Sequence, residues 1–439
     1  CRTGELDFVR RFQQITGPVT AKGVEDTAFY RYTPLLSLSE VGGAPDHFGT
    51  ALEDFHRMNA ERLARWPHSL LATSTHDTKR SEDVRARINV LSELPGEWRA
   101  RLRAWRRLNR RHRTLVHGQP APDANEECYL YQTLLGAWPA EPVSDADHAA
   151  FTERITQHML KAVKEAKVHA SWIHPSPEYD EAIARFVAAI LDRSEPPPSA
   201  PGRLRRLIGA IVPDAPSNAF LADFRPFQQR IAAAGIHNSL AQTLLKLVAP
   251  GVPDIYQGTE EWALTLVDPD NRRPVDYARL GEDLRAIRAA LEEPESDHAA
   301  LARSLLATKE DGRIKLYVTH QALAYRQRHA SLFAEGAYVP LGARGSRSDH
   351  VVAFSRALGD EAAIAAVPRF LARLHPSDPP VGAPWAATWL ELHEERAAPA
   401  YRNVLTGERV AVTVRDGRPG LALDAVFAIF PVALLEATG

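Results

Sequence analysis

A histidine–aspartate pair follows a short apolar run in the first quarter of the chain. Residues 70–72 are Leu-Leu-Ala, and the segment after them contains His76, Asp77 and Lys79. A strand that ends in this pair places an imidazole beside a carboxylate, and the carboxyl ends of the strands form the catalytic face of a (β/α)8 barrel. A carboxylate there would stabilise the positive charge that develops on a sugar ring during glycoside cleavage. The alternative is that His76 and Asp77 cap a following helix, a common role for aspartate, and the dipeptide alone favours this alternative.

A second polar segment, residues 16–32, combines charged groups with aromatic rings. Its last eleven residues hold one lysine, two acids and three aromatic side chains. Sugar sites use aromatic faces against the apolar side of the ring and charged groups for its hydroxyls. The alternative is a loop with a local pair between Lys22 and Glu25 and with its aromatic residues in the core. Taken alone, the segment supports the two interpretations equally, and its candidate site residues are Lys22, Glu25 and Asp26.

Two further segments lie close together in the second half of the chain. Residues 251–260, which include Tyr256, have the pattern of a short strand that opens into a loop. Residues 266–276, which include Asp268, hold three acids and two arginines within nine residues. A loop this charged is either a binding surface or a solvated turn with internal ion pairs. On its own the segment favours the solvated turn.

The patterns around these segments divide the chain into four parts. Residues 1–90 mix short apolar runs with glycine, proline and polar residues, which predicts active-site loops between short strands of an α/β scaffold. Residues 91–235 show helical spacing of apolar side chains, interrupted by a Pro- and Ser-rich linker at 194–202. Residues 236–300 return to α/β character. Residues 301–439 contain short apolar or alternating runs, beginning with Arg313–Thr319, and predict a β-rich, sandwich-like domain.

The composition argues against several classes of function. Lys and Arg total 53, Asp and Glu total 55, and the formal net charge is −2, so nothing draws the whole chain toward nucleic acid or an anionic membrane. The arginine-rich stretch 99–113 is better explained as the solvated face of a helix. The chain has two cysteines, which favours a cytoplasmic protein, and no apolar run reaches the ~18 residues of a membrane span.

Cofactor and metal signatures are missing from the sequence. There is no Walker loop and no Rossmann fingerprint, and His169 and His174, which flank Trp172, are not spaced as a convincing metal pair. We therefore expect neither a cofactor nor a metal. Five tryptophans are predicted to pack in the core or between domains: Trp98, Trp138, Trp172, Trp385 and Trp389.

Taken together and in order, the polar segments resemble one family. GPVTAKGVEDTAFYRY, STHDTKRSEDVRAR, GVPDIYQGTE and LVDPDNRRPVD look like maltooligosyltrehalose synthase, a branch of the α-amylase superfamily in glycoside hydrolase family 13. The His–Asp pair and GxPxIYxGxE are shared across much of the superfamily. AKGVEDTAFYRY and DPDNRRPVD point to the synthase itself. The resemblance runs over most of the chain.

This resemblance implies a fold and an activity. The fold would be α/β: the C-terminal part of a (β/α)8 barrel with a helical insertion, followed by a β-sandwich-like C-terminal domain. The activity would be an isomerisation, in which the reducing-end α-1,4 linkage of a maltooligosaccharide becomes an α,α-1,1 linkage and gives maltooligosyltrehalose for trehalose biosynthesis. Two alternatives stay open: a retaining α-glucan hydrolase of the same superfamily, and a non-catalytic carbohydrate-binding fragment.

The resemblance also implies residue roles. Asp77 matches the third catalytic acid of the family, with His76 as its neighbour in hydrogen bonding to the sugar. Lys79 and Lys22 would hold the glucose at the reducing end. Arg80 is expected to pair with an acid of the following helix, Glu82 or Asp83. The remaining candidates for substrate binding are Glu25, Asp26, Tyr256 and Asp268.

The nucleophile and the general acid of the family belong to strands that would precede residue 1. We therefore expect the sequence to be a partial one that lacks the N-terminal part of the enzyme, and the fragment alone to be inactive. The expected partners are a maltooligosaccharide substrate and, in the same pathway, a maltooligosyltrehalose trehalohydrolase. No nucleic acid and no membrane is expected as a partner.

Overall fold

A computed structural model describes residues 2–139, 144–194, 218–293, 297–374, 379–394 and 397–438. Of the linker predicted at 194–202, only Ser194 belongs to the described residues. Among the described residues, none of the helices combines the length and the apolar character needed to cross a bilayer.

The first 90 residues are more helical than their sequence predicts. Helix α1 (Arg2–Val19) continues through a π-helical stretch (Thr20–Ala28) into the short α2 (Phe29–Arg31). The prediction of a loop over residues 16–32 was therefore wrong. The physical reason lies in the apolar residues at positions 8, 12, 15 and 19, whose spacing of three and four is that of a helix. Helix α3 (Leu52–Arg65) leads to β1 (Leu70–Leu71), the one strand between residues 2 and 90, all of which are described.

Helices dominate the middle of the chain, as the spacing of its apolar residues predicts. They pack around the buried Trp105, whose ring meets Tyr131 and Phe224 at centroid distances of 5.5 and 5.3 Å. A small antiparallel hairpin, β2 (Thr114–Val116) and β3 (Gln119–Ala121), interrupts them. The helices are α4 (Glu82–Asn89), α5 (Pro95–Leu108), α6 (Ala124–Ala137), α7 (Asp145–Ala166), α8 (Pro177–Leu191) and α9 (Ala219–Val248).

One parallel strand pair positions the polar segments. Strand β1 pairs with β4 (Val252–Pro253), and the Val252 amide donates to the Ser69 carbonyl at 2.8 Å. The turn into β4 needs Gly251, which has φ +123° and has Leu71 so close that a Cβ would lie 2.8 Å from its Cγ. Because parallel strands end on the same side, the segments after β1 and β4 leave the pair together.

Four helices precede the β-rich part, and one of them corrects a prediction. Residues Arg313–Thr319, expected to be a strand, begin helix α12. Their alternating Ile, Leu and Val residues imitate a strand, but the buried positions 314, 317, 318, 322 and 325 follow a helical period. The helices are α10 (Tyr277–Glu292), α11 (His298–Ala307), α12 (Arg313–Arg328) and α13 (Ala330–Glu335).

The remaining residues form two antiparallel sheets that share a hydrophobic core containing Ile364, Leu390 and Leu435. In the larger sheet the strand order is β11-β10-β14-β8-β7-β5, and in the smaller it is β12-β13-β9-β6. A short helix, α14 (Leu423–Val426), follows β13. The strands are β5 (Ala337–Leu341), β6 (Ala343–Gly345), β7 (Val351–Leu358), β8 (Glu361–Pro368), β9 (Thr388–Glu391), β10 (Ala400–Asn403), β11 (Arg409–Ala411), β12 (Thr413–Arg415), β13 (Arg418–Ala422) and β14 (Ala433–Thr438).

Candidate functional site

Asp77 lies in a tight turn beyond the carboxyl end of β1. The Asp77 amide donates to the Thr75 hydroxyl at 3.2 Å, and the Thr78 hydroxyl donates to the Thr75 carbonyl at 2.9 Å. Helix α4 begins five residues later, at Glu82, and the Glu82 amide donates to the Ser74 hydroxyl at 2.9 Å, not to His76 or Asp77. The alternative in which His76 and Asp77 cap a helix is therefore wrong. His76 is exposed, and the Asp77 side chain is 48% exposed, so both can meet a ligand from solvent.

Two lysines from separate segments share one carboxylate beside this turn. Lys79 Nζ lies 2.8 Å from Asp26 Oδ1, and Lys22 Nζ lies 2.5 Å from Asp26 Oδ2. Lys79 Nζ is also 3.9 Å from Asp77 Oδ1. The Lys79 side chain is 2% exposed and that of Lys22 is 77% exposed. The structure thus brings together four of the predicted site residues, which we call the lysine–aspartate cluster: Lys22, Asp26, Asp77 and Lys79.

The charges of the cluster support one another. Partial burial pushes the pKa of Asp26 upward, but hydrogen bonds and charge from Lys22 and Lys79 outweigh it and lower the pKa below its usual value. The hydrogen bond to Asp26 in turn raises the pKa of Lys22. An ammonium group carries three protons, so Lys22, whose side chain is 77% exposed, can still donate to the hydroxyls of a ligand after bonding Asp26.

The π-helical stretch explains the placement of Lys22 and Asp26. The two residues are four apart and face the same side of the helix, while the Thr27 hydroxyl donates to the Lys22 carbonyl at 2.7 Å. Short π-helical insertions frequently occur at functional sites. The local pair between Lys22 and Glu25 was a wrong interpretation, because Glu25 instead accepts the Gly42 amide at 3.0 Å.

Two of the three aromatic residues in segment 16–32 pack in the hydrophobic core. Phe29 and Tyr30 are buried, and the Tyr30 ring stacks on Tyr129 with 6.1 Å between centroids. Burial strongly raises the pKa of Tyr30, so its hydroxyl stays protonated. Of the three rings, Tyr32 alone keeps substantial exposure. The core interpretation of these aromatics therefore holds for Phe29 and Tyr30.

Tyr256 reaches the Asp77 turn through Asn271. The Tyr256 hydroxyl donates to the Asn271 carbonyl at 3.0 Å, and the Asn271 amide nitrogen lies 3.3 Å from the Thr75 carbonyl and 3.1 Å from that of His76. Asn271 is buried. Sequence reasoning missed this residue, because nothing in its type separates it from its charged neighbours in the 266–276 segment.

Comparison with known proteins supports the family resemblance, although no family model matches the chain. A Mycobacterium tuberculosis protein assigned as a maltooligosyl trehalose synthase is 37% identical over 428 residues, covering 97% of this chain. The maltooligosyltrehalose synthase structure from Arthrobacter ramosus matches 98% of this chain with a TM-score of 0.73 and 35% identity. Over nearly its whole length, this chain is therefore similar to maltooligosyltrehalose synthases.

The match extends to a structure of lower sequence identity, but this chain spans less than half the length of the proteins it matches. A hypothetical maltooligosyl trehalose synthase from Sulfolobus tokodaii covers 97% of this chain at 28% identity and a TM-score of 0.68. The chain spans 45% of the length of the mycobacterial relative and 46% of the Arthrobacter synthase. It therefore corresponds to about half of a synthase of the family.

Asp268, a further predicted site residue, makes its described contacts away from the lysine–aspartate cluster. Lys161 of α7 lies 2.8 Å from Asp268 Oδ1 and 2.7 Å from its carbonyl. Its neighbour Asp270 accepts the Leu266 amide at 2.7 Å and pairs with Arg273 at 3.0 Å. The pair of Asp270 with Arg273 is internal to the segment, as the turn interpretation expects, whereas the pair of Asp268 with Lys161 reaches outside it. Neither pair joins Asp268 to the lysine–aspartate cluster.

A buried charge network fastens the turn that carries Asp77 to the rest of the fold. Lys315 of α12 lies 2.8 Å from Glu82 Oε1 and 2.9 Å from Asp83 Oδ2, and all three side chains are buried. Asp83 also accepts the Ala263 amide at 2.8 Å. The sequence offered no signal for Lys315, which occupies a stretch predicted to be a strand. We call Glu82, Asp83 and Lys315 the buried clamp.

The pairing predicted for Arg80 was wrong because the buried clamp engages both acids. The Arg80 guanidinium instead donates to the Ser39 carbonyl at 3.0 Å and lies over the Tyr129 ring. Glu40 accepts the backbone amides of Lys79 and Arg80 at 2.7 and 3.0 Å. The turn that carries Asp77 is thus fixed on both sides by buried groups.

One candidate metal cluster occurs among the described residues: Asp123, Glu126 and His169. Each member has a structural partner. Asp123 caps α6 through the Glu126 amide, His169 Nε2 lies 2.9 Å from Asp123, and the Tyr179 hydroxyl donates to Glu126 at 2.5 Å. These bonds explain the three residues as a helix-capping network, and the network itself gives no ground for a metal.

Proposed function

We propose that this chain is part of an enzyme that isomerises maltooligosaccharides to maltooligosyltrehalose. The observation that carries the proposal is the lysine–aspartate cluster, in which two ammonium groups are fixed beside Asp77. Such a site can hold a glucose through its hydroxyls while the bond next to it is broken and remade. A hydrolase needs only water at this position, whereas an isomerase must retain the released sugar.

In the proposed reaction, Asp77 stabilises the charge that develops on the ring and binds its hydroxyls, with His76 as a second donor. Lys22 and Lys79 hold the reducing-end glucose after its bond to the chain breaks. A nucleophilic aspartate and an acidic glutamate, both proposed to lie outside these 439 residues, form the glycosyl–enzyme intermediate and protonate the leaving oxygen. The anomeric hydroxyl of the retained glucose then attacks the intermediate and loses its proton to the glutamate.

Retention of glucose also explains why the cluster must be preorganised. Water competes for the intermediate, and a closed, ordered site limits hydrolysis. Lys79 is buried and already oriented by Asp26, so it loses little freedom when the sugar binds. Tyr256, tied to the Asp77 turn through Asn271, is proposed to line the same pocket. We keep Glu25 and Asp268 as weaker candidates, since their described contacts lie elsewhere.

The proposed architecture follows from the parallel pair of β1 and β4. We propose that these strands belong to the C-terminal part of a (β/α)8 barrel, with residues 1–90 and 236–300 contributing to it. Residues 91–235 would form a helical insertion, and residues 301–439 a C-terminal domain whose two sheets form a sandwich. The proposal also includes a cytoplasmic location and a trehalohydrolase that acts on the product. The fragment alone is proposed to be inactive.

Product analysis of the full-length protein on maltopentaose tests the function. We expect mainly non-reducing product, and Asp77→Asn should lower the rate by about a thousandfold or more. Asp7→Asn, which changes an exposed acid on α1, is the matched control and should keep the parent rate. Mainly reducing sugar would establish the hydrolase alternative instead. Binding of maltopentaose without any turnover would establish the carbohydrate-binding alternative.

A further inference from the structure

Trp172 does not pack as the sequence predicts. Instead of lying in the core or between domains, its side chain is 59% exposed in the segment that follows α7. The neighbouring Ile173 and nearby Val168 are also exposed. Single exposed apolar side chains are ordinary, but a group of them with a large aromatic ring commonly marks a binding surface.

The exposed ring is nevertheless held in place. The indole Nε1 donates to Glu165 Oε1 at 3.0 Å, and the Lys164 ammonium lies 5.1 Å from the ring centroid. A cation over the face of an indole is attracted by the electrons of the ring. Since the N–H group is already bonded and Lys164 approaches one face, the opposite face is the part of Trp172 that remains for a ligand.

The segment that carries the ring is bonded to the helix that carries Lys22. Lys167, from the same segment, donates to the Thr27 hydroxyl at 2.9 Å, and Arg31 donates to the Ala166 carbonyl at 2.5 Å. These bonds fasten the segment to the helix that carries Lys22. The pKa of Lys22 is raised first by its bond to Asp26, and the charge of Glu165 adds to the rise, so the carboxylate that holds Trp172 is within electrostatic range of Lys22.

A pyranose ring fits this surface chemically. Its C–H groups form an apolar face that stacks on an aromatic ring, while its hydroxyls at the edge bond to charged groups such as those of Lys22 and Asp26. The combination of a fixed aromatic face and adjacent ammonium donors favours a sugar.

We propose that Trp172 is a sugar-stacking residue that binds a glucose unit of the maltooligosaccharide at the rim of the site. The proposal rests on the substrate class proposed above. Stacking acts equally on bound substrate and transition state, so its loss raises KM and leaves kcat nearly constant.

Kinetics of the full-length protein on maltopentaose, with total product counted, test the proposal. Trp172→Ala should raise KM about three- to tenfold, the range expected for one aromatic contact, and change kcat by less than twofold. Trp172→Phe keeps a stacking face and should restore KM to within about twofold of the parent value. Trp66→Ala is the matched control, because Trp66 is 70% exposed but precedes β1, whereas Asp77 follows it. It should leave KM unchanged.

Several outcomes would overturn the role of Trp172. An unchanged KM in Trp172→Ala would do so, and so would a fall in melting temperature with unchanged KM, which would show that the ring packs against protein. Total product is counted so that the KM comparison holds even if the product is reducing sugar and the isomerase proposal fails. Isothermal titration calorimetry with maltopentaose gives the same comparison as Kd if no turnover occurs, with the same expected three- to tenfold weakening.

Discussion

Lys79 and Asp26 form an ion pair with 2.8 Å between Nζ and Oδ1, although 53 residues separate them in the chain. The pair joins the turn after β1 to the π-helical stretch after α1, and it buries one ammonium group almost completely. A buried cation is tolerated when a carboxylate accompanies it. The position of Lys79 beside Asp77 therefore depends on a residue that makes no described contact with Asp77 itself.

Removing the Asp26 charge should disturb both lysines at once. Asp26→Asn leaves the buried Lys79 with Asp77 alone, at 3.9 Å. Breaking a buried pair in this way costs about 3 kcal/mol, and we expect urea unfolding to show a loss of that size. In the full-length protein the share of reducing sugar among the products should rise, because the glucose is held less firmly.

The control is Asp7→Asn, which breaks an exposed pair with Arg11 and should lower the free energy of unfolding by less than about 0.5 kcal/mol. Equal losses of unfolding free energy in Asp26→Asn and Asp7→Asn would show that the buried Lys79 does not depend on Asp26.

The buried clamp should contribute strongly to stability. Lys315→Met leaves Glu82 and Asp83 without the ammonium that now lies within 3 Å of both. We expect a loss of about 3–5 kcal/mol in the free energy of unfolding, measured by urea titration. The control is Lys309→Met, since Lys309 pairs with the half-exposed Glu310 at 2.9 Å and should contribute about 1 kcal/mol or less. A Lys315→Met variant as stable as the control would show that the clamp is dispensable.

Acid should weaken the contribution of Glu82. Burial pushes its pKa up, but the charges of Lys315 and Lys246 outweigh burial and lower the pKa to about 2. A carboxylate whose pKa is lower in the folded state stabilises fully above the unfolded value near 4.5, and this stabilisation, on the order of 3 kcal/mol, is lost as the pH falls toward 2.

The variant Glu82→Gln isolates this effect. Burial raises the pKa of Asp83, so that group contributes with the opposite sign and the wild-type curve alone is ambiguous. The difference in unfolding free energy between wild type and Glu82→Gln should shrink as urea titrations move from pH 5 to pH 3. A difference that stays constant over this range would contradict the assigned pKa.

Asn271 should matter more for catalysis than for stability. Asn271→Ala removes the Asn271 amide that donates to the Thr75 carbonyl and that shares the His76 carbonyl with Arg272. The looser turn should place Asp77 less accurately. Small displacements of catalytic groups are costly, so we expect kcat of the full-length protein to fall about tenfold or more, with a stability loss of about 1–2 kcal/mol.

Asn218→Ala is the matched control for this prediction. Asn218 is also buried, and its side chain accepts the Leu221 amide at the start of α9. The control should lose comparable stability but keep its kcat. If kcat falls equally in both variants, the effect of Asn271 is general destabilisation and not positioning.

The site was only partly predictable from the sequence. The apolar run before His76 and Asp77 predicts β1 and the polar turn after it, because both signals are local. The partnership of Lys79 with Asp26 depends on where two distant segments meet, and no spacing encodes it. The residue pattern of segment 16–32 already singled out Lys22, and the family resemblance gave Lys22 and Lys79 their proposed role in holding the glucose.

Other predictions were wrong or missing because residue type and local spacing do not determine which groups a side chain contacts. The alternation around Lys315 suits a strand as well as one side of a helix, and burial on several sides settles it as α12. Trp172 was assigned to the core on hydrophobicity alone, which carries no information on whether a large ring finds neighbours. Asn271 gave no signal, since a polar residue in a polar segment is ordinary until its partners are known.

The single carboxylate of Asp26 serves two amines in very different surroundings. Lys22 meets bulk solvent, whereas Lys79 is closed off from it. An amine-directed acylating reagent will therefore modify Lys22 and spare Lys79, so the two groups can be distinguished in an otherwise intact protein. A sugar bound to Lys22 would shield that amine from the reagent. The rate at which Lys22 is acylated would then report occupancy of the site without any turnover of the substrate.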